Sequence, residues 1–178
     1  MAKHPETNAV RIQTKKTGEK EHSTPLFLTS SFTYDSAEDM AAAFSDDSLD
    51  VNIYSRFSNP SVDEFIEKIA SLEGAEDGIA TATGMAAIYA TFMTFLNQSD
   101  HIISASSVFG STHTILTKYL PKWGIESSYF DMNKPESIEA LIKPNTKMLY
   151  VETPSNPGLD IIDIEFVSAL CKKNNILF

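Results

Sequence analysis

From residue 60 onward the apolar positions fall into alternating helical and strand-like runs. Val62, Phe65, Ile66, Ile69 and Leu72 share one face of a 3.6-residue repeat, which predicts an amphipathic helix. Ser61 followed by Glu64 has capping-box spacing at its start, and Gly74 offers a stop. Gly78 to Ala82 then reads as a strand, Thr83-Gly84 as a turn, and Met85 to Leu96 as an apolar, buried helix. His101 to Ala105, Ile125 to Asp131 and Lys147 to Glu152 are further strand candidates. Helices are predicted near Thr112 to Pro121, at Pro135 to Lys143 and at Asp163 to Asn174, and Ile176-Leu177-Phe178 opens one more strand. Strands alternating with helices imply a parallel α/β sheet with right-handed crossovers.

The first sixty residues lack this rhythm. Met1 to Thr24 is polar, with lysines and glutamates interspersed, and it buries too little apolar surface to order itself. It reads as an extended arm of the kind that orders against a partner subunit. Pro25 to Tyr34 is aromatic and β-prone, a short helix with Ser36 as N-cap is expected at Ser36 to Phe44, and Ser45 to Asn52 is an acidic loop. The expected organisation is therefore an arm and subunit-contact segment over residues 1–60 and the first part of an α/β domain over 61–178. The last strand has three residues, where a buried parallel strand usually runs about five or six. Ligands of open α/β sheets lie beyond the carboxyl ends of the strands, so the chain is expected to be truncated just ahead of the chemically interesting end.

Charge narrows the range of partners. Lys plus Arg number 14 against 24 Asp plus Glu, a net charge of -10 that leaves no basic footprint for nucleic acid and disfavours an anionic membrane. The single cysteine cannot build a disulfide framework, and the polar N-terminus has no apolar core of a secretory signal. The run from Met85 to Leu96 is well short of the ~20 residues of a membrane span, so a cytoplasmic location is expected. His4, His22, His101 and His113 are scattered, no His/Cys cluster has metal spacing, and no GxSxG elbow occurs. Metal-hydrolase and serine-hydrolase chemistry are poorly supported.

Four loops carry candidate chemistry. In Ala80-Thr81-Ala82-Thr83-Gly84-Met85-Ala86-Ala87 a helix opens at or just after Gly84. Its first N–H groups lack internal partners and sit at the positive end of the helix dipole, so this turn can take a phosphate or can be a plain tight turn. Arg56, one of two arginines, stands two residues from Tyr54 on what reads as an extended segment, which places both side chains on one side. Together they could grip a phosphate, or Arg56 could pair with an acid. Phe109, before Gly110, could lie on a planar ring or plug the core. Asn156, flanked by Pro154 and Pro157, could aim a hydrogen bond at a ligand or sit in an ordinary Pro-rich turn.

Taken in order, YSRFSNPS, ATGMAAI, SVFGSTHT and VETPSNPGLDIID, with LEGAED and HSTPLFLTSSF, resemble the cystathionine γ-synthase / methionine γ-lyase family of pyridoxal-phosphate enzymes over residues 20 to 178. FLTSSF, IKPNTK and Phe109 look most like its O-succinylhomoserine sulfhydrylase branch. The resemblance implies a fold-type-I PLP-dependent transferase, aspartate-aminotransferase-like, with a parallel-type sheet and flanking helices. It also implies pyridoxal 5'-phosphate (PLP) as cofactor, a small amino-acid substrate, and homodimeric active sites within a homotetramer. By position, Gly84 and Met85 would give backbone amides to the cofactor phosphate. Tyr54 and Arg56 would reach the phosphate held by a neighbouring subunit, Phe109 would stack on the pyridine ring where many members have tyrosine, and Asn156 would sit near the ring oxygen. The implied reaction is γ-replacement on O-succinyl- or O-acetylhomoserine, giving homocysteine or cystathionine. A methionine or cystathionine γ-lyase is the alternative, weakened by the missing hydroxyl at Phe109.

The family's pyridine-nitrogen aspartate, Schiff-base lysine and substrate-carboxylate arginine have no counterpart among these residues. Thr14-Lys15, Thr117-Lys118 and Thr146-Lys147 all read as solvated surface rather than as the missing lysine segment. No catalytic residue is assigned, and the chain alone is expected to be inactive. A non-catalytic fragment or interaction domain is the remaining alternative.

Overall fold

The computed structural model describes residues 4–12, 16–46 and 48–178, so Thr14-Lys15 of the predicted arm lies outside the described residues. The chain divides into two compact units, Met1–Ala80 and Thr81–Phe178.

In the first unit, helix α1 (Pro5–Arg11) lies along a later helix, α3 (Pro60–Glu73), with Asn8 Nδ2 donating to Ser71 Oγ at 3.4 Å. The expected extended arm is thus partly helical. Pro5 at the first helical position is pre-set for the turn, and the partner surface comes from the same chain. Between them α2 (Ala37–Ser45) starts as the sequence predicts, with the Ser36 hydroxyl accepting from Asp39 N–H at 3.0 Å.

The Ser61–Glu64 capping box does not form. Pro60 occupies the first turn of α3, which moves the cap back to Asn59, whose Oδ1 accepts from Ser61 N–H at 2.9 Å. Ser61 Oγ is then free to accept from Phe27 N–H, and Glu64 turns into a buried partner of Lys68 and the Thr24 hydroxyl. Gly74 ends the helix at φ 66°, a left-handed conformation that favours glycine. Residues 25–34 form no ladder beyond a single antiparallel bridge from Ser31 to Tyr54.

The second unit runs α4 (Gly84–Phe95), β1 (His101–Ala105), α5 (Gly110–Thr114), β2 (Glu126–Phe130), α6 (Ile138–Leu141), β3 (Thr146–Tyr150) and α7 (Ile164–Asn174). α5 continues through a π turn and a 3-10 turn to Trp123, where Pro121 cannot supply the N–H of a regular helix. The sheet order is β2-β1-β3, all parallel, with Ile102 opposite Ser127 on one side and Met148 on the other. Leu177 adds an isolated parallel bridge to Met148, so the strand expected from Ile176 is present as a single bridge beside β3. The central strand β1 is buried at all five positions.

Ile102, Ile103 and Leu149 of the sheet pack with Phe92 of α4, Leu116 and Leu120 of the α5 run, Ile138, and Val167 and Cys171 of α7. Val167 and Cys171 are four apart, the spacing that faces one side of a helix. Burial raises the Cys171 thiol pKa and keeps it a protonated core group.

Three expectations change here. Gly78 to Ala82 is not a strand: no described strand lies beside it to complete a ladder, and Ile79 is 90% exposed. α4 is only partly buried, with Phe92 inside and Phe95 and Tyr89 outward. Thr146 is buried rather than solvated, because it partners His101 at the amino end of the sheet. Among the described residues no helix is long and apolar enough to cross a membrane, and no group of three or more His, Cys, Asp or Glu is placed to hold a metal.

Candidate functional site

Within the second unit, the loops at the carboxyl ends of β1 and β3 and the start of α4 hold four of the candidate residues. Thr83 caps α4, its hydroxyl accepting from Ala86 N–H at 3.1 Å and its carbonyl from Ala86 and Ala87 N–H. That leaves the N–H groups of Gly84 and Met85, the first two helical positions, without intrahelical acceptors. No acidic side chain occupies the first turn, and a Cβ added at Gly84 would meet nothing within 4 Å. An anion can approach these amides closely, aided by the helix dipole.

The loop after β1 removes the core-plug reading of Phe109. Val108 is the buried residue, whereas Phe109 is 43% exposed at the N-cap of α5. No side chain of this loop caps α5; the cap comes from across the sheet. Glu152, just past β3, accepts from Phe109 N–H through Oε2 at 2.8 Å. Its Oε1 accepts from the Thr112 hydroxyl at 3.0 Å and from the Tyr150 hydroxyl at 3.1 Å. Burial, with the Glu152 charge beside it, pushes the Tyr150 phenol well above its ordinary pKa, so it remains a donor. The Tyr150 ring meets Phe92 edge to face, with centroids 5.1 Å apart.

The loop after β3 is closed on itself. Asp160 Oδ2 accepts from the hydroxyls of Ser155 (2.8 Å) and Ser107 (3.0 Å), and Asp160 N–H donates back to Ser155 Oγ at 2.9 Å. These two serine hydroxyls, Ser155 first, hold the Asp160 carboxyl below its ordinary pKa. Gly158 permits the closure, since a Cβ there would come within 2.6 Å of Asp160 Oδ2. Asn156 stands exposed at the tip, between cis Thr153–Pro154 and Asn156–Pro157 bonds.

Tyr54 and Arg56 belong to the first unit. They lie in a turn, with Phe57 N–H donating to Tyr54 O at 2.7 Å, rather than on an extended segment. Their side chains still meet: the Arg56 guanidinium lies 5.1 Å from the Tyr54 ring centroid and 5.2 Å from that of Phe57. Both are exposed, and among the described residues Arg56 makes no ion pair. Asn59 Nδ2 braces the turn by donating to Ser55 Oγ and Phe27 O.

Sequence reasoning singled out Phe109 and Asn156 but not the groups that hold them: Glu152, Asp160, Ser107 and Thr112. The available signal was an acid just past a strand end, where a carboxylate can reach the neighbouring strand's loop.

A family model described as Cys/Met metabolism PLP-dependent enzyme matches residues 6–178. The O-succinylhomoserine sulfhydrylase of Pseudomonas aeruginosa is 42% identical over 172 residues, 97% of this chain and 42% of that protein. The L-methionine gamma-lyase of Porphyromonas gingivalis is 36% identical over 151 residues, 85% of this chain and 38% of the relative. A crystal structure described as an O-acetylhomoserine (thiol)-lyase of Campylobacter jejuni, carrying N'-pyridoxyl-lysine-5'-monophosphate, superposes with a TM-score of 0.87 at 31% identity. It covers 98% of this chain and 43% of its own. The chain thus spans somewhat less than half the length of the relatives it matches.

Proposed function

The chain belongs to the Cys/Met metabolism PLP-dependent enzyme family, and from that premise we propose that it supplies the phosphate- and ring-contacting part of a γ-replacement enzyme. The proposed substrate is O-succinyl- or O-acetylhomoserine, and the product is homocysteine or cystathionine. The observation that carries the proposal is the open start of α4 in the same unit as the presented Phe109 ring. The residues fit the cofactor: a helix N-terminus free of acids suits a phosphate dianion, and a half-exposed phenyl suits a flat heteroaromatic face.

When bound, pyridoxal phosphate supplies the electron sink that stabilises negative charge at the substrate's α-carbon. The amides of Gly84 and Met85 bind the phosphate, with the dipole of α4 adding about 0.3–1 kcal/mol, up to ~2 in a partly buried setting. Phe109 covers one ring face and excludes water, but has no proton to give. Asn156, at the tip of its closed turn, offers an amide to the ring oxygen. In this proposal Tyr54 and Arg56, stacked and exposed, reach the phosphate of a second copy, which completes the site in a homodimer within a homotetramer.

A γ-lyase is the second reading, supported by the 36% identity to an L-methionine gamma-lyase. Full-length protein supplied with PLP and sulfide separates the two. Homocysteine formed from O-succinyl- or O-acetylhomoserine only when sulfide is present is the expected result. Release of an α-keto acid as the main product, with sulfide making no difference, would reverse the preference. Absence of any bound-cofactor absorbance would remove both readings.

A further inference from the structure

We infer that Glu152 is a positioning residue for the ring-covering loop: its carboxylate fastens Phe109 to the carboxyl end of β3, and Asp160 adds a second tie through Ser107. The inference rests on the reading above, in which Phe109 covers a planar cofactor ring.

A phenylalanine ring has no polar handle. A tyrosine at this place could be located partly by its own hydroxyl, but the Phe109 ring is placed by its backbone alone. That backbone is held by one bond that originates in another element, Phe109 N–H to Glu152 Oε2 at 2.8 Å. The other oxygen of the same carboxylate is fixed by two hydroxyl donors. Thr112, three residues along, returns a second bond from the same helix start, and Tyr150 approaches from β3 itself. With donors on both oxygens the carboxylate cannot rotate without losing one of them.

Tyr150 in turn is packed edge-on to the fully buried Phe92, so the anchor is continuous with the core. Hydrogen bonds to an ionised acceptor are roughly twice as strong as neutral ones, which favours glutamate over an amide here. Asp160 repeats the device two residues before Phe109, where Ser107 Oγ donates to Oδ2 at 3.0 Å. Asp160 simultaneously closes the Asn156 turn through Ser155. The loop that presents Phe109 and the loop that presents Asn156 are therefore cross-braced by two carboxylates, and neither can shift without disturbing the other.

The test uses the full-length protein and three variants, Glu152→Ala, Glu152→Gln and Tyr150→Phe. Hydrogen exchange over residues 107–113 is followed by mass spectrometry without cofactor. PLP is then titrated while its affinity and visible circular dichroism are read. Glu152→Ala is expected to raise exchange in that segment and to weaken PLP binding, each by about tenfold, the effect of losing one charge-assisted bond. It should also flatten the dichroism of the bound cofactor. Glu152→Gln keeps a carbonyl acceptor and recovers part of both signals, and Tyr150→Phe shows a smaller change of the same sign.

Unchanged exchange in Glu152→Ala would overturn the inference. So would raised exchange with PLP affinity and dichroism at the wild-type level, since the tie would then position nothing at the ring. If Glu152→Ala does not fold, the Gln and Tyr150→Phe variants decide by the same comparison. If the wild-type protein binds no PLP, the proposed function falls, while the exchange measurement still decides whether Glu152 holds the loop.

Discussion

Thr146 at the amino end of β3 is the partner on which the buried His101 depends. The Thr146 hydroxyl lies 2.8 Å from His101 Nδ1 and also accepts from Lys143 N–H at 2.8 Å, while His101 Nε2 lies 2.8 Å from Ser128 Oγ. One imidazole thereby joins all three strands with no exposed surface. Thr146→Val keeps the shape and the strand propensity and removes only the hydroxyl. Lys143, exposed, recovers water for its N–H, but Nδ1 of the fully buried His101 does not.

A buried polar group left without a partner costs about 1–3 kcal/mol, which corresponds to roughly a 5- to 150-fold loss of protection in native-state hydrogen exchange. The amides of Ile102, Ile103 and Ser104 in β1 should report this loss, measured in full-length protein near neutral pH. A change below about twofold would refute the assignment of Thr146 as the histidine's essential partner.

The same site fixes a pH dependence. Burial, then the nearby Lys143, lowers the His101 pKa, and only Glu126 opposes them. The unfolded chain therefore takes up the imidazole proton more readily than the folded one. Stability holds above the ordinary imidazole value of about 6.5 and falls as pH drops below it. Protection of β1, corrected for intrinsic exchange, should decline in that window. A flat profile would contradict the burial argument.

Further outcomes follow from single residues. Phe92→Ala, which empties a fully buried aromatic site against Tyr150, should lower stability by about 3–5 kcal/mol in thermal or denaturant unfolding. Asn59→Ala removes the α3 cap, the bond to Ser55 in the Tyr54 turn and the bond to Phe27 O at once, so a loss of about 2 kcal/mol and faster exchange over residues 54–58 are expected. Gly158→Ala would drive a methyl against Asp160 Oδ2, opening the Ser107 tie; faster exchange over residues 155–160 would register it. Phe109→Tyr restores a hydroxyl beside the proposed ring site, and the ratio of α-keto acid to homocysteine should rise.

Much of this was legible in the residues themselves. Local rules decide local structure, so the Ser36 cap, the Gly74 stop, the helix from Asp163 and the strand His101–Ala105 could be read from short spans. The ordered motifs likewise led to the family, and with it to Gly84, Met85, Phe109 and Asn156 as candidates. What local rules could not settle was competition. Pro60 displaced a sound capping box because the cap moves with the first helical residue. Residues 78–82 have strand character but no neighbour to bond, and α1 found a surface on α3 that composition does not reveal.

The sequence determined which groups stand at the start of α4 and after β1 and β3, because those identities follow from caps, glycines and apolar runs along the chain. Only the tertiary structure decided that Val108 goes inward and Phe109 outward, and that Glu152 and Asp160 hold them there. The bonds in question join residues 43 and 53 positions apart. No periodicity encodes such a pairing; it exists because parallel pairing of β1 with β3 brings their carboxyl ends side by side.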